Sequence, residues 1–131
     1  MQMLFQRIIL ATDFSDTSKE ASSYALQLAQ TYKAELKALH VFDTSAWNVP
    51  FHDYSSLEEL GINKAVEGFE ETRQRGKDAL KELAESFDLE VETIFTEGDP
   101  GHEIVRVAEE LKADLIVLGT HGYKGWRRFT I

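Results

Sequence analysis

Four short apolar segments alternate with longer amphipathic segments along the chain, and this alternation limits the possible folds more than any other feature. The apolar segments are residues 7–13 (RIILATD), 35–43 (ELKALHVFD), 89–98 (LEVETIFTEG) and 114–120 (DLIVLGT). Short apolar runs bounded by polar residues are typical of buried strands. Strands that alternate with helices favour a parallel sheet with helices on both faces. The sequence therefore predicts an open, Rossmann-like α/β fold with four strands.

Three helical segments are predicted between these strands. Ser15, Asp16 or Ser18 can cap the first helix, and its apolar residues recur at helical spacing at Ala21, Ala25, Leu28, Ala29 and Tyr32. After a loop rich in Pro, Asn, Asp and Ser, residues 57–87 predict a short helical piece and then a long charged helix from about Asn63. The third helix is predicted with Asp99 as N-cap, Pro100 at its first position, and a buried face of Ile104, Val105, Ala108 and Leu111.

Size and charge limit the function further. The 131 residues suit a single domain, 1–131, and contain no cysteine for disulfides or thiolate metal sites. The net charge of −9 disfavours binding to nucleic acids and to anionic membranes. The sequence contains neither a run of about 18 apolar residues nor the pattern of a secretory signal. We therefore expect a cytoplasmic protein without a membrane or nucleic-acid partner.

The residues that close the strands are the candidates for a binding site, because ligands of such folds bind beyond the carboxyl ends of the strands. Gly119, Gly122 and Gly125 follow the last strand at three-residue intervals. Such glycines let backbone N–H groups approach an anion, so the loop predicts a phosphate site and a plain strand-to-helix turn equally well. Asp13 closes the first strand, either as a carboxylate for a sugar or base or as an anion at the helix N-terminus.

The remaining polar candidates also have two interpretations each. His121 could donate to a phosphate or bond to the loop backbone, and Arg127 could face phosphates or begin a solvated helix. His40 is expected to be a hydrogen-bonded core or edge histidine. His52 and His102 lack partners at metal-ligand spacing, so no metal site is predicted. No general base or nucleophile lies near the loop, which favours binding over turnover.

Three segments, RIILATDFSDTSKEASSYALQLA, LKALHVF and EGDPGHEIVRVAEELKADLIVLGTHG, resemble the universal stress protein family, and the resemblance covers the whole chain. In the nucleotide-binding branch of that family the last loop reads Gly, two residues, Gly, nine residues, Gly, then Ser or Thr. Gly119 and Gly122 match the first two glycines, and the third would be residue 132, one position past the end of this sequence.

The resemblance implies a role for individual residues. Asp13 would contact the adenosine part, with Ala11 and Thr12 beside it, although many members have proline where this chain has Ala11. Val41 would hold the adenine through its backbone. The ribose and first phosphates would be lined by Leu118, Gly119, His121 and Gly122.

By this resemblance the chain is a cytosolic stress-response protein that binds ATP or AMP, with or without Mg²⁺, at the carboxyl ends of strands 1 and 4. It would act as a homodimeric switch, with at most slow ATP hydrolysis. The alternative is an interaction module of the same fold that binds no nucleotide. An adenylating ATP-pyrophosphatase, a receiver domain and a dinucleotide-binding domain are disfavoured, because the loop TDFSDTS lacks their motifs.

The last residues, YKGWRRFTI, resemble the start of an amphipathic helix whose apolar face is incomplete. We therefore expect the domain to be truncated at its C-terminus. The full protein would continue with Gly and Ser or Thr, a helix and a fifth strand. In relatives that strand pairs with its counterpart across a two-fold axis, which is the basis for expecting a homodimer.

Overall fold

Strands and helices alternate through the chain as the sequence predicts. The computed structural model describes residues 5–44 and 63–119, with side chains from residue 67 onward in the second segment. The elements are β1 (Arg7–Ala11), α1 (Asp16–Tyr32), β2 (Glu35–Asp43), α2 (Asn63–Glu85), β3 (Glu92–Gly98), α3 (Pro100–Glu110) and β4 (Leu115–Leu118). The predicted loop after Thr44, the short helical piece before Asn63 and the glycine loop after Gly119 lie outside the described residues.

All strand pairs in the described sheet are parallel, and the strand order is β3-β2-β1-β4. The chain runs outward from β1 to β3 and then returns to the other side of β1. Ala11 at the end of β1 is therefore in register with Leu39 of β2 and with Leu118 of β4. This reversal beside β1 is the position at which open α/β sheets bind ligands. The predicted fifth strand is not among the described elements and stays a prediction.

Both faces of the sheet are covered, because alternate residues of a strand point to opposite faces. The face under α1 and α2 buries Ile8, Leu10, Ala21, Ala25, Ala29, Ala34 and Leu36. The face under α3 buries Ile9, Ala11, Leu39, Val41, Ile104, Val107 and Ala108. β1 contributes to both sets, as expected for the central strand of a parallel sheet. No helix in the described segments is both long and apolar enough to cross a membrane.

Three predicted strands are two or three residues longer than the observed ones. β4 spans Leu115–Leu118 instead of residues 114–120. β1 ends at Ala11 instead of Asp13. The chain turns there towards α1, and the Asp13 amide lies 3.3 Å from the Ser18 hydroxyl instead of bonding within the sheet. β3 begins at Glu92, the partner of Lys37, instead of residue 89. Leu89 and Val91 instead pack on the α1 and α2 face as part of the connection.

The helix starts confirm the predicted capping residues. Ser15 caps α1 and accepts a hydrogen bond from the Ser18 amide at 3.3 Å. Asp99 caps α3, with its carboxylate 3.0 Å from the His102 amide, and Pro100 is the first helical residue. The predicted buried face of α3 needs one correction.

Val105 is 39 % exposed, whereas Val107 is 4 % exposed and takes its place in the core. One side of α3 is shared by residues 104, 107, 108 and 111, which are related by steps of three or four positions. Residue 105 lies outside that side of the helix.

Asp114 joins the starts of the two strands that flank the topological reversal. Its Oδ2 accepts hydrogen bonds from the amides of Gln6 at 2.7 Å and Arg7 at 2.8 Å. Its own amide donates to the Arg7 carbonyl at 2.8 Å. The two backbone donors hold the pKa of Asp114 below its usual value. These contacts fix β4 beside β1, so the residues that follow both strands emerge together.

Candidate functional site

A small cleft opens at the carboxyl ends of β1 and β2, beside the first turn of α3. Its lining residues are Ala11, Thr12, Asp13, Leu39, Val41, Pro100 and Ile104. Ala11, Thr12, Asp13 and Val41 belong to the predicted site, and the structure brings these four together. The sequence reasoning missed Leu39, Pro100 and Ile104 as lining residues. Pro100 was the available signal, because it predicts the start of α3 and so a helix N-terminus at this edge of the sheet.

Asp13 holds the start of α1 with one of its two carboxylate oxygens. Oδ1 accepts hydrogen bonds from the Ser15 amide at 2.9 Å and from the hydroxyl of Ser18, which is 1 % exposed. Within the described residues, Oδ2 accepts no hydrogen bond. Helix anchoring, one of the two predicted roles, is therefore confirmed for Oδ1. Oδ2 of this cleft-lining residue is the oxygen left for the other role.

The loop between β1 and α1 has an unusual backbone next to Asp13. Phe14 has a φ angle of 66°, which lies in the left-handed region that residues other than glycine rarely adopt. Its amide donates to the Thr12 hydroxyl at 3.0 Å. Its ring packs on the imidazole of His40, with 4.5 Å between ring centroids. This conformation costs about 1–2 kcal/mol for an L-residue, so the contacts around Phe14 must hold it in place.

His40 is half-buried and hydrogen-bonded, which confirms the prediction of a hydrogen-bonded core or edge histidine. Its Nδ1 lies 2.8 Å from the carbonyl oxygen of Thr12. A carbonyl can only accept, so Nδ1 carries the proton and donates. Burial lowers the pKa of His40, while the bond to Thr12 and the charge of Asp13 act in the opposite direction. The imidazole is therefore neutral at pH 7.

Gly119 lies directly against the first turn of α1. A Cβ atom at this position would be 2.7 Å from the carbonyl carbon of Thr17 and 2.8 Å from the amide nitrogen of Ser18. Real Cβ atoms do not approach backbone atoms so closely, so a glycine is required here for packing. This reason is separate from the predicted approach of a phosphate. Leu118, the preceding residue, is in register with Ala11.

Three predicted site residues, His121, Gly122 and Arg127, lie outside the described residues. Their roles at the phosphates stay predictions. The described part of the site therefore contains the residues expected around a nucleoside, and only Gly119 from the glycine loop.

Comparison with models of protein families gives a match to the Universal stress protein family over residues 4–131. The chain belongs to the universal stress protein family. Among curated relatives, universal stress protein MJ0531 of Methanocaldococcus jannaschii is 37 % identical over 131 residues, covering 98 % of this chain and 72 % of the relative. Universal stress protein YxiE of Bacillus subtilis is 33 % identical, covering 98 % of this chain and 87 % of the relative.

Solved structures of the family share the architecture of this universal stress protein. A family member from Burkholderia pseudomallei has a TM-score of 0.69 at 27 % identity, over 98 % of this chain and 89 % of that one. A universal stress protein solved in complex with cAMP has a TM-score of 0.55 at 22 % identity, over 95 % of this chain and 81 % of that one. The second likeness shows the shared fold alone.

The chemistry of the described cleft suits a neutral, polar ligand group. Asp13 is the one ionisable side chain among its seven lining residues, and the rest are apolar or, for Thr12, a hydroxyl. A carboxylate disfavours a nearby phosphate but accepts well from sugar hydroxyls. Within the described residues, no three His, Asp or Glu side chains cluster as metal ligands. The cleft of this universal stress protein can therefore recognise hydroxyl and amide donors beside an apolar surface.

Proposed function

We propose that this universal stress protein binds an adenine nucleotide, ATP or AMP. Its nucleoside would lie in the cleft at the ends of β1 and β2, and its phosphates would lie towards the glycine loop after β4. One observation carries the proposal. The cleft gathers Ala11, Thr12, Asp13 and Val41, the four residues that the family resemblance assigns to the adenosine. They come from the end of β1, the loop that follows it, and β2, which is separated from that loop by the whole of α1.

The strand register supports a backbone role for Val41. The carbonyl of Leu39 accepts from the Thr12 amide at 2.9 Å, so Leu39 directs its backbone groups towards β1. In a parallel ladder every second residue directs its groups to the same neighbour, so Val41 also faces the β1 side. β1 ends at Ala11, opposite Leu39. The N–H and C=O of Val41 therefore point past the end of β1, where the edge of an adenine ring could bond to them.

Asp13 supports the ribose part of the proposal. Its Oδ1 is held by Ser15 and Ser18, which fixes the plane of the carboxylate before any ligand arrives. Oδ2 can then accept from a ribose hydroxyl with little loss of side-chain freedom, and such preorganisation increases affinity. The structure of a fold relative in complex with cAMP shows that a protein of this fold can bind an adenine nucleotide.

The wider function is proposed on the family resemblance. The protein would be a cytoplasmic stress-response switch that binds nucleotide, with or without Mg²⁺, and turns it over slowly or not at all. It would act as a homodimer of single-domain chains. An interaction module without a nucleotide is the competing function, and ligand binding discriminates between the two.

Calorimetry with AMP and ATP tests the proposal on the wild type and on Asp13→Asn. We expect Asp13→Asn to weaken binding by at least about tenfold, because hydrogen bonds to a charged acceptor contribute about 1.5–3 kcal/mol. Asn keeps an oxygen that can accept from Ser15, so the start of α1 should persist.

Asp16→Asn is the matched control, since it removes the same charge from the exposed first turn of α1. It should leave the affinity within about twofold. Absence of nucleotide binding to the wild type would favour the interaction module. Equal affinities of wild type and Asp13→Asn would remove Asp13 from the site.

A further inference from the structure

We propose that His40 is a positioning residue for the candidate nucleotide site. Its imidazole contacts the residue before Asp13 and the residue after it, and its hydrogen bond to the first of them sets the direction of the Asp13 side chain. The consequence for ligand affinity rests on the proposed function, whereas the consequence for Asp13 itself does not.

The first contact fixes the peptide group that leads into Asp13. Nδ1 of His40 donates to the Thr12 carbonyl at 2.8 Å, and the Thr12 amide donates to the Leu39 carbonyl at 2.9 Å. Two consecutive residues of β2 therefore hold both backbone polar groups of Thr12. The Thr12 carbonyl shares a planar peptide unit with the Asp13 amide. Its orientation therefore decides in which direction Asp13 leaves the sheet.

The second contact lies on the other side of Asp13. The ring of Phe14 packs on the same imidazole with 4.5 Å between centroids and an angle of 40° between the planes. Phe14 has φ 66°, a conformation that an L-residue adopts only when its surroundings impose it. The imidazole is therefore a shared support for both neighbours of Asp13.

The opposite side of the imidazole is closed, so the ring cannot move away from the loop. A Cβ atom at Gly76 of α2 would lie 3.2 Å from both Cδ2 and Nε2 of His40, which shows how closely the helix approaches. Phe95 of β3 lies 5.8 Å from the imidazole between centroids. Arg73 and Lys77 of α2 in turn lie over Phe95, at 5.9 and 5.4 Å from its centroid.

The two contacts of His40 with the loop, the hydrogen bond to Thr12 and the ring contact with Phe14, can be separated with two variants. His40→Phe keeps an aromatic ring for Phe14 and loses the donor to Thr12. His40→Asn keeps an amide donor near the Nδ1 position and loses the ring. If the bond to Thr12 positions Asp13, His40→Asn should keep the Asp13 carboxylate in place, whereas His40→Phe should not. If His40 only filled space, His40→Phe should have the smaller effect of the two variants.

The first readout is amide hydrogen exchange without ligand. The Ser15 amide donates to Asp13 Oδ1 at 2.9 Å, so its protection reports where the carboxylate lies. The Leu111 amide, which donates to the Val107 carbonyl at 2.9 Å at the end of α3, is the reference away from the site. We expect His40→Phe to lower Ser15 protection about tenfold relative to Leu111, and His40→Asn to change it less than about threefold. Equal changes at both amides, or none at Ser15, would overturn the proposal.

The second readout needs no variant and holds even if both substitutions prevent folding. Nitrogen-15 spectra of the wild-type imidazole should show the tautomer protonated at Nδ1, because only that nitrogen can donate to Thr12. A spectrum of the Nε2-protonated tautomer would overturn the proposal.

The third readout is the affinity for AMP by calorimetry. We expect about tenfold weaker binding in His40→Phe and a change below about threefold in His40→Asn. Equal AMP affinity in wild type and His40→Phe would contradict the positioning role. If the wild type binds no AMP, the proposed function fails, and the amide and tautomer measurements still decide the role of His40.

Discussion

At the scale of single residues, Asp13 shows how one side chain can serve structure and binding together. Its sequence position at the end of a strand predicted two alternative roles. The structure assigns Oδ1 to the start of α1, whereas Oδ2 of this cleft-lining side chain accepts no hydrogen bond from the described residues. The helix anchor therefore favours the binding role, since it fixes the orientation of the carboxylate.

His40 gives a prediction for the pH dependence of stability. Burial lowers its pKa in the folded state below the ordinary value of 6.5. The folded protein therefore binds a proton less readily than the unfolded chain. The stability associated with neutral His40 is complete above pH 6.5 and declines as the pH falls from there towards the lowered folded pKa.

Burial outweighs the charge of Asp13, which by itself raises the pKa of His40. Asp13 faces it from the β1–α1 loop, and Arg73 and Lys77 of α2 flank the neighbouring Phe95. Urea unfolding at several pH values should show a steeper loss of stability below pH 6.5 in the wild type than in His40→Asn. Parallel curves for the two proteins would show that His40 does not titrate as described.

At the scale of elements, the sequence predicted what local patterns encode and missed what packing decides. The bounds of β2, the start of α2 and the caps of α1 and α3 follow from apolar runs, Ser15, Asp99 and Pro100, all of which act locally. The end of β1 depends on Ser18, which attracts Asp13 away from the sheet.

The same limit applies to the candidate site. Ala11, Thr12, Asp13 and Val41 could be predicted, because they lie near strand ends and match a family motif. The lining by Pro100 and Ile104 and the support by His40 could not, since they depend on how α3 and the β1–α1 loop pack on the sheet. Val105 is apolar, so the sequence pattern predicts it in the core, whereas its angular position on α3 directs it outward.

Gly119 gives a prediction about the contact between β4 and α1. Gly119→Ala should lower the free energy of unfolding by about 1–3 kcal/mol without ligand, because its Cβ would collide with backbone atoms of Thr17 and Ser18. A β-branched residue there should also weaken nucleotide binding more than tenfold, or at least about 1.4 kcal/mol.

Chemical denaturation measures the first effect and calorimetry the second. Both measurements are made on each Gly119 variant, because a displaced α1 also moves Ser18 and Asp13 and could weaken binding in that way. An unchanged unfolding midpoint in Gly119→Ala would contradict the close packing.

At the scale of the whole molecule, the two faces of the described sheet are covered unequally. α1 and α2 cover one face, whereas α3 covers β2 and β3 on the other. Ile116 and Leu118 of β4 are only half-buried on the α3 face. A further helix and a fifth strand beside β4 would cover them. Both elements, and the homodimer in which the fifth strand would pair, remain proposals from the family resemblance.

The central claim is that an adenine nucleotide binds at the carboxyl ends of the strands, with its nucleoside at β1 and β2 and its phosphates towards the loop after β4. The most direct test is a titration of nitrogen-15-labelled protein with AMP, followed through the backbone amide signals. We expect saturable shifts at Asp13, Val41 and Gly119. The groove at the opposite end of the sheet, lined by Phe87, Leu89 and Val91 among others, should show no change. No saturable shift at the strand ends, or the largest shifts in that opposite groove, would contradict the claim.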